Sequence, residues 1–164
     1  MKEIPLIAFS AYSGAGKTTL IEKLIVELKA QGLRLAVVKH DGHDFEIDHE
    51  GKDSWRFAKA GADMTVICSD ERTAVIEQRG SDLQRSLELI RNVDLVLVEG
   101  FKYAPIPRVG ICRKASGKGL PAPAEEYLAL VTDDEDLWKR MPGRCFGLED
   151  VYGLAAWIRR EFQI

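Results

Sequence analysis

Apolar residues run along the chain in two rhythms. Short, almost uninterrupted apolar runs at Ile4–Ala11, Leu33–Lys39, Leu95–Val98, Val109–Cys112 and Leu128–Val131 predict strands. The first and the third are so continuously apolar that both faces must be buried, as in a parallel sheet. Between them the spacing changes. Leu20, Leu24, Ile25 and Leu28 recur every three or four residues, with Glu22, Lys23, Glu27 and Lys29 interleaved, which predicts an amphipathic helix over Thr18–Lys29 stopped by Gly32. Asp53–Ala60 reads as a second helix ending near Gly61, and Leu83, Leu87 and Ile90 line a third. Asp150–Phe162 closes the chain as a helix with Val151, Leu154, Ala155 and Ile158 facing inward. Met64–Cys68 and Thr73–Glu77 flank a polar link of hairpin length, Ser69-Asp70-Glu71-Arg72, and predict an antiparallel pair. Ala115–Glu126, with its Gly, Pro and Ser, reads as a mobile loop. The fold class expected is α/β: a mostly parallel central sheet flanked by helices, with an antiparallel extension.

Composition narrows the function. At 164 residues, 46% hydrophobic and 30% charged, the chain fits one ordinary folded domain and not a disordered segment. Its net charge of −3 argues against bulk nucleic acid or an anionic membrane surface as the main partner. Cys68, Cys112 and Cys145 are odd in number and widely spaced, which fits a reducing cytosol better than a disulfide framework. The first apolar run is too short to span a membrane and lacks the flanks of an export signal, so a cytoplasmic location is expected.

The decisive motif follows the first strand. Ala11-Tyr12-Ser13-Gly14-Ala15-Gly16-Lys17-Thr18-Thr19 lies between a strand and a helix, as a phosphate-binding loop (P-loop) does. Gly14 and Gly16 let successive backbone N–H groups converge on phosphate oxygens at the positive end of the helix. Lys17 would reach the β- and γ-phosphates and the Thr18 hydroxyl would bind Mg²⁺. Ala11 stands where the pattern has its first Gly. The expected architecture is therefore P-loop NTPase-like, a single nucleotide-binding domain over residues 1–164 with small β subregions around 64–78 and 106–131.

A phosphate loop needs an acid at the same end of the sheet to hold the metal. Of Asp94 and Glu99, only Glu99 lies at the carboxyl end of its strand; Asp94 lies roughly 16 Å back at about 3.3 Å per residue. The segment from Lys39 to His49 carries all three histidines and leaves the carboxyl end of the second strand. In it Asp41 or Asp44 could orient water near the metal, and His40 or His43 could meet a phosphorylated substrate or a transition metal; a plain polar loop is the alternative. From Gly100 to Ala124 there are Lys102, Arg108, Arg113, Lys114 and Lys118 and no acid, which suits an anionic ligand as well as a solvated face. Asp133, after the Leu128–Val131 strand, could accept guanine N1–H and N2–H. Thr132-x-x-Glu135 equally reads as a helix capping box.

Ser13-Gly14-Ala15-Gly16-Lys17-Thr18-Thr19-Leu20, Val38-Lys39-His40-Asp41-Gly42-His43-Asp44, Gly51-Lys52-Asp53-Ser54, Lys59-Ala60-Gly61-Ala62 and Val98-Glu99-Gly100-Phe101-Lys102 together resemble the MobB family of molybdopterin-guanine dinucleotide biosynthesis proteins. Order and spacing match over about two-thirds of the chain. The resemblance implies a GTP-binding, weakly hydrolysing accessory protein, usually a homodimer, that assists the guanylyltransferase joining GMP to molybdenum–molybdopterin. It carries phosphate-loop roles onto Ser13 to Thr19, and the family's His-Asp and Glu-Gly-Phe-Lys roles onto His40, Asp41, His43, Asp44, Glu99 and Lys102. Guanine preference rests on the resemblance, because Asn92 is the lone asparagine and no Asn-Lys-x-Asp motif exists. Two other functions compete on the residues alone. One is a small-molecule kinase with the basic Gly100–Ala124 segment as its lid. The other is a binding module for a phosphorylated pterin that uses the loop only as an anion cradle.

Overall fold

The computed structural model of the protein describes residues 4–164. Six strands form one parallel sheet, in the order β2 (Leu35–Lys39), β5 (Leu95–Glu99), β1 (Leu6–Ser10), β6 (Arg108–Cys112), β7 (Ala129–Thr132) and β8 (Cys145–Phe146). Residues Leu95 to Val98 of β5 are wholly buried, as their unbroken apolar run requires of a central strand. Strand β2 is half exposed because it lies at the sheet edge.

Helices α1 (Lys17–Ala30) and α5 (Val151–Phe162) pack together on one face. Leu24, Leu28, Leu154 and Ile158, the expected apolar stripes, meet Ile7, Phe9, Leu95 and Leu97 in the main core. A smaller cluster joins Ala124, Tyr127, Leu130, Met141 and Cys145 near the β8 edge. The stop of α1 is as expected: Gly32 has φ +86° and the Leu33 N–H donates to the Leu28 oxygen at 3.2 Å. That bond keeps Leu33 out of β2, which starts two residues later than its apolar run predicts.

Two elements escape the sequence pattern. Strand β8 is two residues long, and α4 (Glu135–Arg140) is six. The helix start near Thr132 is real, but the cap is Asp134, whose carboxylate accepts from the Asp136 N–H; Thr132 Oγ1 accepts from the Asp134 N–H at 3.0 Å. The capping-box reading is therefore corrected by two residues. The Ala115–Glu126 segment carries part of a 3-10 turn at Lys114–Ser116 and another at Ala124–Glu126.

The chain divides into two compact units. One is formed by the chain up to His40 together with Leu87–Ile164, and the other by Asp41–Ser86. The second holds α2 (Asp53–Lys59) and the antiparallel pair β3 (Met64–Cys68) and β4 (Thr73–Glu77), in the register Val66 opposite Val75. Helix α3 (Leu83–Glu88) runs across the division. The hairpin is thus a separate two-stranded sheet, while β6 and β7 belong to the parallel sheet.

Candidate nucleotide site

The loop between β1 and α1 has the backbone that phosphate cradling demands. Gly14 and Gly16 have φ +84° and +88°, and a Cβ at Gly14 would meet open space, so conformation and not crowding selects glycine there. Ala15 N–H closes the turn on the Tyr12 oxygen at 3.3 Å. Ala11 is not among the residues with positive φ and its side chain belongs to the main core, which explains why Ala can stand where the pattern has Gly. No side chain caps α1 and its first turn has no acid, so the positive end of a 14-residue helix faces the loop without an internal anion.

Three side chains converge beside it. Thr18 Oγ1 donates to Glu99 Oε1 at 3.2 Å, and Lys17 Nζ lies 3.8 Å from the same oxygen. The register explains the meeting: Glu99 at the end of β5 is paired with Phe9 of β1, at the strand end from which the loop departs. The hydroxyl and the carboxylate are hard oxygen donors of the type that Mg²⁺ takes, so these residues fit that ion. Asp94 is far from this edge in register. Its carboxylate accepts three bonds from Arg34: from the backbone N–H at 2.8 Å, from Nε at 3.1 Å and from Nη2 at 2.8 Å. That fork holds the Asp94 carboxyl down to about 2, well below the usual range.

The exit of β5 is shaped by His40. Its N–H donates to the Glu99 oxygen at 2.8 Å and its ring lies 4.5 Å from that of Phe101. Phe101 itself has φ +49°. Lys102 is exposed, and its carbonyl accepts from Arg108 Nη1 at 2.9 Å while Arg108 Nη2 binds the Ala104 oxygen at 2.7 Å. Arg108 thereby spends itself on the backbone, and a small cavity lined by Ser10, Lys17, Gly100 and Lys102 remains beside the loop. Asp41, His43 and Asp44 belong to the Asp41–Ser86 unit and are exposed. Among the described residues no group of three His, Cys, Asp or Glu side chains could hold a metal ion. Asp133 Oδ1 accepts the Lys114 N–H at 2.6 Å and so fixes the turn after β6.

Sequence reasoning did not place Arg113 or Glu149. Arg113 follows β6, and a Cβ on Gly16 would lie 3.5 Å from its Nη2. Glu149 follows β8, and its Oε2 accepts from Lys23 of α1. The basic stretch announced Arg113 without locating it; Glu149 had no signal, because a two-residue strand leaves no pattern.

The family model of molybdopterin guanine dinucleotide synthesis protein B, MobB, matches residues 6–133. The chain belongs to the MobB family. It is 43% identical over 137 residues to the molybdopterin-guanine dinucleotide biosynthesis adapter protein of Haemophilus influenzae, covering 80% of this chain and 76% of that one. To the adapter protein of the same name in Escherichia coli it is 35% identical over 162 residues, covering 94% and 91%. The crystal structure of Bacillus subtilis MobB superposes with a TM-score of 0.74 at 29% identity over 95% of this chain and 98% of that one. The strand, loop and helix that carry Ser13 to Thr19, and the β5 end that carries Glu99, both fall inside the span matched by the MobB model. No helix among the described residues is long and apolar enough to cross a membrane.

Proposed function

We propose that this MobB protein is a GTP-binding, weakly hydrolysing adapter that assists the conversion of molybdenum–molybdopterin to its guanine dinucleotide form. The observation that carries the reading is the convergence of Lys17, Thr18 and Glu99 on the open positive end of α1. Ser13, Gly14, Ala15, Gly16 and Thr19 would surround the phosphates with backbone N–H groups, and Lys17 would exchange its contact with Glu99 for the terminal phosphates. Thr18 and Glu99 would hold Mg²⁺, directly or through its water, and the ion would neutralise charge on the phosphate oxygens. Asp133 contributes by fixing the turn that bears Arg113. Orientation of the attacking water is assigned to Asp41, which follows His40 directly in the chain. His40, His43, Asp44 and Lys102 are the candidates for contact with the molybdopterin, whose phosphate suits imidazole and ammonium donors.

The partners proposed are the guanylyltransferase and a second copy of this chain, in the cytoplasm. A copy is favoured by the β3–β4 pair. Helix α2 packs against β3, yet Met64, Val66, Ile67 and Val75 all stay exposed there.

Calorimetric titration of the wild type and Lys17→Ala with GTP and Mg²⁺ tests the reading. Binding by the wild type and its loss in Lys17→Ala, with an unchanged melting curve, is the expected result. Equal affinity in both would remove the phosphate-loop assignment.

A further inference from the structure

The phosphate site has a direction. Lys17 and Thr18 meet Glu99 on the β5 flank of the loop, so the terminal phosphates of a bound nucleotide end there. The nucleoside must leave by the other flank, over β6 and β7. On that flank a cleft opens between Gly16, Thr19 and Lys23 on one side and Arg113, Leu148 and Glu149 on the other, above an apolar floor. We propose that this cleft holds the purine of the bound nucleotide and that the Glu149 carboxylate reads its guanine edge, an assignment that rests on the nucleotide-binding reading above.

The chemistry of the walls fits a flat heterocycle. Arg113 lies against the backbone of the loop at Gly16, and among the described residues it has no carboxylate within ion-pair distance. Its planar guanidinium can stack on a base or pair with the first phosphate. Leu148 and the floor supply the apolar contact that pockets for aromatic ligands use. Guanine presents two adjacent donors, N1–H and the N2 amino group, to which the two oxygens of one carboxylate are complementary. Adenine presents an acceptor at N1, which a carboxylate repels.

Glu149 is able to act in this way. Its contact with Lys23 uses Oε2 alone, and a carboxylate has about four acceptor positions. The pair is exposed, so rearranging it costs little. Hydrogen bonding from Lys23, then the charges of Lys23 and Arg113, hold the carboxyl below its ordinary range, so that at neutral pH it is ionised and purely an acceptor. Asp133, the other acid on this edge, already spends Oδ1 on the Lys114 N–H and does not line the cleft.

Calorimetric titrations of the wild type, Glu149→Gln and Asp133→Asn with the Mg²⁺ complexes of GTP, ATP and XTP test the assignment. The wild type should prefer GTP. In Glu149→Gln the GTP-to-XTP affinity ratio should fall by about tenfold or more, because an amide donates to xanthine O2 while accepting from N1–H. Melting curves should coincide, since the side chain is exposed. Wild-type GTP binding with unaltered ratios in Glu149→Gln would overturn this assignment and leave the nucleotide reading standing. A shift in selectivity confined to Asp133→Asn would overturn it as well. Failure of the wild type to bind any of the three would remove the nucleotide reading and this inference with it.

Discussion

A methyl group on Gly100 would stand 2.8 Å from the carbonyl oxygen of His40, which is closer than a real Cβ approaches any atom. The close approach fastens the exits of β2 and β5 together. The His40 N–H binds the Glu99 oxygen, Gly100 turns with φ +99°, and Phe101 returns its ring to His40. Gly100→Ala therefore faces both a left-handed backbone and a backbone clash. It should lose about 1–3 kcal/mol of stability and weaken Mg²⁺-dependent GTP binding as Glu99 is displaced. Urea denaturation and GTP titration measure the two effects; an unchanged denaturation midpoint would contradict the role given to this glycine.

Glu99→Gln should keep nucleotide binding in the absence of Mg²⁺ and lose much of the gain that Mg²⁺ brings, together with hydrolysis, because the charge that holds the ion is gone. Asp94→Asn should leave both unchanged, since Asp94 faces Arg34 at the other end of β5. Titrations with and without Mg²⁺ and a phosphate-release assay compare them. Greater damage from Asp94→Asn would mean that the metal edge has been assigned to the wrong end of the sheet.

Acid should act through Asp94 in the opposite sense from its silence in binding. Its carboxyl is depressed from an ordinary 3.8 to about 2, first by the Arg34 side-chain hydrogen bond and then by the Arg34 backbone N–H. A group depressed in the folded state stabilises above its unfolded value, and that stability is lost as pH falls. The contribution is thus complete above about pH 4 and disappears between about pH 4 and pH 2. Melting temperatures of the wild type and Asp94→Asn should differ at pH 7 and converge towards pH 2. A constant difference across that range would show that the fork contributes nothing through its charge.

The sheet and the loop were legible because both depend on local pattern. An apolar run of four such as Leu95–Val98, bounded by Asp94 and Glu99, is too short for a buried helix and reads as a buried strand, and Gly14 and Gly16 between a strand and a helix leave few alternatives. That Glu99, and not Asp94, ends β5 beside the loop followed from strand direction alone. What was hidden depends on contacts between distant segments. Arg113 reaches Gly16 because β6 is hydrogen-bonded beside β1, and Glu149 reaches Lys23 because two residues of β8 extend the sheet by one more strand. Neither pairing leaves a periodic trace. Asp133 looked like a free acceptor in sequence, whereas the turn it holds is formed by residues 19 positions away.

The β3–β4 hairpin exposes Val66 at 55% and its cross-strand partner Val75 at 50%, an apolar pair left open to water although α2 packs against β3. If a second copy covers this face, Val66→Lys combined with Val75→Glu should convert a dimer into a monomer while the GTP affinity of each chain persists. Light scattering coupled to gel filtration reads the mass. A wild type that is monomeric at high concentration, or a variant that remains dimeric, would rule out this surface as the contact.

The His-Asp segment should act in turnover. His40 is fixed at the carboxyl end of β5 by its backbone bond to the Glu99 carbonyl oxygen, and Asp41 follows it directly in the chain. Asp41 and His43 are exposed, and among the described residues neither side chain makes a protein hydrogen bond that would make it structural. Histidines kept for packing would lie within an element; these leave a strand end in a Gly-containing polar segment, where functional side chains concentrate. Asp41→Asn and His43→Ala should each lower GTP hydrolysis, or the assembly of the guanine dinucleotide in a reconstituted assay, by about tenfold, a loss of about 1.4 kcal/mol in the transition state. Because neither side chain supports the fold, melting temperatures should stay within the scatter of the wild type. GTP affinity should also hold, which separates a role in turnover from one in binding. Full activity in both variants, or activity that falls only in proportion to a large drop in melting temperature, would reduce the segment to ordinary surface.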